Sequence, residues 1–171
     1  MANRQTSSGK KEARLAPSGG TDDVQSPIDA IAFLKRDHED VAEMLEEFEE
    51  AGEDEKQDIA ADICSALTVH AQIEEEIFYP AAREVLEDDD LELVNEADVE
   101  HGAVKQLIAQ IEATDGSDDH FEAMVTVLGE YVQHHVDEEE NELFPKLQDT
   151  DLDLAALGQR LSERKAELVA E

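Results

Sequence analysis

The amino-acid sequence predicts an all-α protein, an up-down-up-down four-helix bundle, on three observations. The residue mix is helical: 40% of the 171 residues are hydrophobic but only 4% aromatic, with no Trp and four Pro, whereas strands draw on β-branched and aromatic side chains. Apolar residues recur at spacings of three and four over four long segments, each tracing one face of a helix. Two of those segments also repeat one another around a His-Glu pair. The length suits a single domain with a real core.

Residues 1–25 are rich in Ser, Gly, Lys and Arg and lack apolar periodicity, so a flexible tail is expected there. The bundle is expected over residues 26–149, opening at Ser26-Pro27-Ile28-Asp29, where Ser can cap, Pro has the φ of a first helical residue and Asp favours the positive helix end. Ile31, Leu34, His38, Val41, Leu45 and Phe48 then form one stripe, ending near Gly52. A second helix is expected over about residues 56–88, through Ile59, Ile63, Leu67, His70, Glu74 and Ile77. The third, about 91–113, carries Val94, His101, Val104, Ile108 and Ile111, and the fourth, about 118–147, carries Phe121, Val125, Leu128, Val132, His135 and Glu139. Residues 150–171 hold a shorter amphipathic helix with Leu154, Leu157, Leu161 and Leu168. It could pack across the bundle or mediate self-association.

The formal net charge is −33, from 46 acidic and 13 basic residues. Such a surface repels phosphate backbones and anionic membranes, so neither nucleic acid nor a membrane is expected as a partner. It resembles the surfaces of salt-adapted proteins, where brine screens self-repulsion. The lone Cys64 suits a reducing compartment, and the opening residues show no secretory-signal pattern. A cytoplasmic protein is expected.

The segments 70–80, HAQIEEEIFYP, and 135–145, HVDEEENELFP, match at an offset of 65 in His, Glu four later, the next Glu, an aromatic and the final Pro. Asp37-His38 and Glu100-His101 match at an offset of 63. An internal duplication follows, with an approximate two-fold axis through the core. Residues four apart share a helix face, roughly 6 Å along the axis, so a helix can offer an imidazole and a carboxylate to neighbouring metal ions. His38, His70, Glu74, His101, His135 and Glu139 thereby form a candidate metal-ligand set. Imidazole with carboxylate favours Fe, Mn or Zn over Ca and Mg.

This pattern, His, then His-x-x-x-Glu, then His, then His-x-x-x-Glu, with Glu-rich endings in Phe/Tyr-Pro, resembles the hemerythrin-like HHE cation-binding domains over about residues 28–147. The resemblance implies a bundle around two iron ions, oxo- or hydroxo-bridged, that meets O2, NO or peroxide. It also implies that His38, His70, His101 and His135 are terminal ligands and that Glu74 and Glu139 bridge. Oxygen-carrying hemerythrins have a further His four residues after the third-helix ligand, where this chain has Lys105. With Lys105 expected to keep its tip outside the core, both irons have an open position, a pattern closer to HHE proteins linked to oxidative or nitrosative stress and iron-centre repair.

Neighbouring residues sort as follows. Alignment on Pro80 and Pro145 selects His135 and Glu139 over His134 and Glu138, leaving His134 solvated, and His120 falls outside the repeat. Glu75 and Glu140 could replace the bridging pair if the helices rotate. Tyr131, four residues before His135, is expected to pack in the core, with a contact to the metal site as the alternative. Pro80 and Pro145 are expected to open the last helical turns without touching the metals. Ferritin-like oxidases use Glu-x-x-His, an order that only Asp98-x-x-His101 approaches. Three functions fit the ligand set: reversible binding or sensing of O2 or NO, an enzyme acting on peroxide or NO, and a structural metal or iron store. No protein partner is indicated.

Overall fold

The computed structural model describes residues 28–170; the predicted tail and Ser26-Pro27 lie outside them. Among the described residues all regular structure is helical. Helix α1 runs Ala30–Glu50, α2 Glu53–Ile73, α3 Tyr79–Val85, α4 Leu91–Glu112, α5 Phe121–Glu138, α6 Phe144–Gln148 and α7 Leu154–Ala170. A π-helical turn, Glu74–Phe78, joins α2 to α3 without a break, and a second, Glu139–Leu143, joins α5 to α6. The bundle therefore has four long rods, as predicted. Helix α1 begins later than expected, because Asp29 is its N-cap and accepts from the Ala32 N–H at 2.9 Å.

The two π-turns have one cause. Pro80 and Pro145 have no N–H, and their rings would strike the carbonyl four residues back in an α-helix. A wider turn relieves this, with the Tyr79 N–H donating to the Glu74 carbonyl and the Phe144 N–H to the Glu139 carbonyl. The widening starts at Glu74 and Glu139 themselves. The opening expected of the prolines in the last turns therefore reaches back to the candidate ligands.

Helix α1 packs on α2, α4 on α5 and α2 on α4, while α1 and α5 touch sparsely. Two apolar clusters fill the interior. One gathers Leu34, Ile73, Phe78, Ala97, Leu143 and Leu157 with their neighbours, the other Val41, Phe48, Ile63, Leu67, Val104 and Leu128 with theirs. The candidate ligands sit where the two clusters meet, with His38 between Leu34 and Val41 on α1 and His101 between Ala97 and Val104 on α4. Cys64 is buried in the second cluster, where burial, aided by the Glu112 charge, pushes its thiol up to about 11, so it acts as a small apolar residue.

Helix α7 packs against α1 and α2, with Leu157 and Leu161 buried in the first cluster. Of the two roles the sequence left open, packing on the bundle is the one observed. Gly158 makes the close approach possible: a Cβ there would lie 2.3 Å from the Ile28 carbonyl oxygen and 2.8 Å from the Ala30 nitrogen. Gly158→Ala is predicted to destabilise the fold by about 1–3 kcal/mol, read as a lower urea midpoint by circular dichroism. An unchanged midpoint would contradict the docking of α7.

Candidate metal centre

All six predicted site residues converge in one buried layer: His38, His70, Glu74, His101, His135 and Glu139 are each at most 6% exposed. Their inward atoms crowd together. Glu74 Oε2 lies 3.2 Å from His70 Nε2, 3.3 Å from His101 Nε2 and 4.0 Å from His135 Nε2. Glu139 Oε2 lies 3.3 Å from His38 Nε2 and 3.6 Å from His135 Nε2. Each carboxylate thus faces imidazoles from both halves of the repeat. Two overlapping donor groups result, His38, His70, Glu74 and Glu139 in one, and Glu74, His101 and His135 in the other.

Outside this layer every imidazole turns its Nδ1 toward a carboxylate. His38 Nδ1 donates to Glu140 at 2.9 Å, His101 Nδ1 to Glu75 at 3.0 Å and His135 Nδ1 to Glu100 at 2.8 Å. His70 Nδ1 faces Asp37 Oδ2 at 3.6 Å, beyond hydrogen-bond range. An Nδ1–H held by a carboxylate leaves Nε2 facing inward, where its lone pair can serve a metal once the ring is neutral. Glu75 and Glu140 are therefore supports of the imidazoles and do not enter the layer. Lys105 stays outside too, its Nζ 2.6 Å from both oxygens of Glu75.

Tyr79 was missed by sequence reasoning. It is fully buried, donates to Glu139 Oε1 at 2.9 Å, and sets its hydroxyl 3.3 Å from His101 Nε2 and 3.4 Å from Glu74 Oε2. Five residues of α-helix would turn it about 140° from Glu74; the π-turn brings the two onto one side. The available signal was the repeat, which pairs Tyr79 with Phe144. Phe144 stacks on His38 at 6.0 Å, and Tyr79 packs on His101 at 5.4 Å, so one hydroxyl breaks the two-fold symmetry. Tyr131 neither packs in the core nor approaches the site, being 48% exposed. It sits about 80° from the centre of the α5 stripe. His120 and His134 are exposed, as expected.

The layer fits a metal on the chemistry of its unsatisfied atoms. Among the described residues, the buried side-chain atoms without a hydrogen-bond partner are Asp37 Oδ2, His38 Nε2, both nitrogens of His70, Glu74 Oε1 and Glu139 Oε2. All belong to this site, and each would otherwise bear an uncompensated desolvation cost. In the metal-free fold protons supply the missing positive charge. Burial opposes the charged forms, but the carboxylates outweigh it and push His70 up to about 10 and His135 up to about 11. Burial likewise opposes ionised Glu74, yet the His70 charge beside it, with bonds from His101 and His135, holds the carboxyl well below its usual range. Burial, with the Glu74 and Glu139 charges, raises Tyr79 well above a normal phenol, so its proton is retained.

The raised imidazoles stabilise the metal-free fold fully below the ordinary value of 6.5, and that contribution is lost as pH rises through about 10 to 11. A metal takes neutral imidazole, so binding between those limits expels protons and affinity rises with pH. Calorimetric titration of the metal-free chain with Zn2+ near neutral pH, in buffers of different ionisation enthalpy, is predicted to register release of about two protons per chain. Buffer-independent heats would contradict these charge states.

The hemerythrin HHE cation-binding domain model matches residues 29–147. A hemerythrin HHE cation-binding domain-containing protein from Mycobacterium kansasii has a crystal structure that superposes with a TM-score of 0.72, covering 84% of this chain and 88% of that one at 23% identity. A protein of Nostoc sp. (strain PCC 7120 / SAG 25.82 / UTEX 2576) named DNA nickase is 34% identical over 113 residues, 65% of this chain. The match spans only 31% of that relative's length. Among the described residues no helix is long and apolar enough to cross a membrane. With its bundle and the family match over both halves of the His-Glu repeat, the chain belongs to the hemerythrin HHE cation-binding domain family.

Proposed function

We propose that the chain is a non-haem di-iron protein that binds or processes O2, NO or peroxide, in an oxidative or nitrosative stress response. His38, His70, His101 and His135 would be terminal ligands, and Glu74 and Glu139 would serve both ions. The observation that carries this reading is the cluster of unpartnered buried imidazole nitrogens and carboxylate oxygens at one layer. Imidazole with carboxylate suits Fe, with Mn or Zn as other occupants. Bound iron would supply redox capacity and coordination positions for a small ligand.

The chain's own residues do the rest. Glu140, Glu75 and Glu100 hold three imidazole rings by Nδ1, and the Tyr79 hydroxyl keeps a proton against Glu139 Oε1. Val41, Leu67, Val104, Val132 and Val136 join the four imidazoles around a cavity of ≈ 20 Å³. Space for about one water admits diatomics or peroxide and leaves no room for a mineral core, which favours ligand chemistry over iron storage. Each donor group has two imidazoles, and Lys105, at the place of the further His of oxygen-carrying hemerythrins, is engaged with Glu75, so both ions would keep a position for a small ligand. This departs from one-sided oxygen carriage. A net charge of −33 works against extending to this chain the DNA-directed activity in the Nostoc relative's name.

Anaerobic loading is predicted to give about two irons per chain, with His135→Ala and Glu139→Ala each losing iron. Full iron content in both variants would contradict the ligand set. Separate additions of O2, NO and peroxide to the reduced protein then distinguish the functions. A stable reversible O2 adduct identifies a carrier or sensor, repeated peroxide or NO consumption an enzyme, and a spectrum indifferent to all three a structural metal.

A further inference from the structure

Three of the four carboxylates that face the outer nitrogens of the buried imidazoles are themselves paired with a lysine. Glu140 has Lys35 at 3.4 Å, Asp37 has Lys165 at 2.7 Å and Glu75 has Lys105 at 2.6 Å. Among the described residues the fourth, Glu100, pairs with no lysine. In that place stand His134 and Glu138, with His134 Nε2 3.3 Å from Glu100 Oε1 and 3.4 Å from Glu138 Oε1. They edge a cleft lined also by Glu92 and Glu96, with no Lys or Arg among its lining residues. The cation position is thus filled by another carboxylate and an imidazole, which are themselves metal donors.

We propose that Glu100, His134 and Glu138 form a second cation site, separate from the buried layer, that takes a first-row divalent transition ion. One atom from each residue lies within 4.8 Å of the other two. The 3.3 and 3.4 Å separations match the edge of a tetrahedron with bonds of about 2.1 Å, roughly 3.4 Å. Imidazole with two carboxylates selects Zn, Mn or Fe over Mg or Ca. The His134 side chain is 65% exposed, so water can complete the coordination. Glu100 also accepts from His135 Nδ1 through its other oxygen at 2.8 Å. A surface ion would thereby stand one carboxylate away from a buried imidazole, where lysines stand for the other three.

The site does not depend on the identity of the buried ions, because the test counts the two separately. The full chain, first saturated with iron and held in high salt to suppress diffuse binding to its acidic surface, is titrated with Co2+. Visible absorption, metal content and the His134 imidazole proton resonances are followed. Uptake of one further ion, broadening of the His134 resonances first, and at least tenfold weaker uptake in both His134→Ala and Glu138→Gln with unchanged iron content would establish the site. Equal Co2+ uptake in wild type and variants would overturn it. So would the absence of a further ion, or loss of iron together with the Co2+ step, since the three residues would then only brace His135.

Discussion

The structure depends on one electrostatic constraint: two carboxylates and four imidazoles share a layer that is almost closed to water, between two apolar clusters. Ionised groups in such a place are tolerated only when opposite charge and directed donors surround them. Protons on His70 and His135 supply positive charge to the layer in the metal-free fold, and metal ions would take over that role. The unpartnered atoms mark where protons and hydrogen bonds fall short. A bundle assembled for stability alone would place leucine at these positions.

Around the layer lies a shell of opposite sign. Carboxylates from α1, α4 and the two π-turns face the outward nitrogens of the rings, and lysines face three of those carboxylates. Lys165 comes from α7, beyond the residues matched by the family model. The C-terminal helix therefore does more than cover apolar surface: through Asp37 it reaches the ring of His70. The chain's acidity is partly organised by this arrangement, since Asp37, Glu75, Glu100 and Glu140 each meet an imidazole.

Much of this was legible in the sequence, for definite reasons. Helix period and the duplicated His-x-x-x-Glu segment are local patterns, so the four rods and the convergence of six residues followed from them. Placing His135, and not His134, in the buried layer needed only the shared Pro. What escaped reading depends on departures from the α-helical period or on contacts distant in the chain. Tyr79 falls on the wrong side of an ideal helix and reaches Glu139 only because Pro80 widens the turn. Tyr131 looked inward on spacing alone and is not, because it flanks the buried stripe. The carboxylate-lysine pairs, such as Lys165 with Asp37, 128 residues apart, have no local signature.

Mössbauer spectroscopy of the iron-loaded chain, with magnetic resonance on the same sample, tests most directly whether the layer holds a coupled pair. Two ions sharing Glu74 and Glu139 predict an antiferromagnetically coupled diferric spectrum with no paramagnetic signal. An isolated high-spin ferric ion, with its strong resonance and no coupling, would contradict the account.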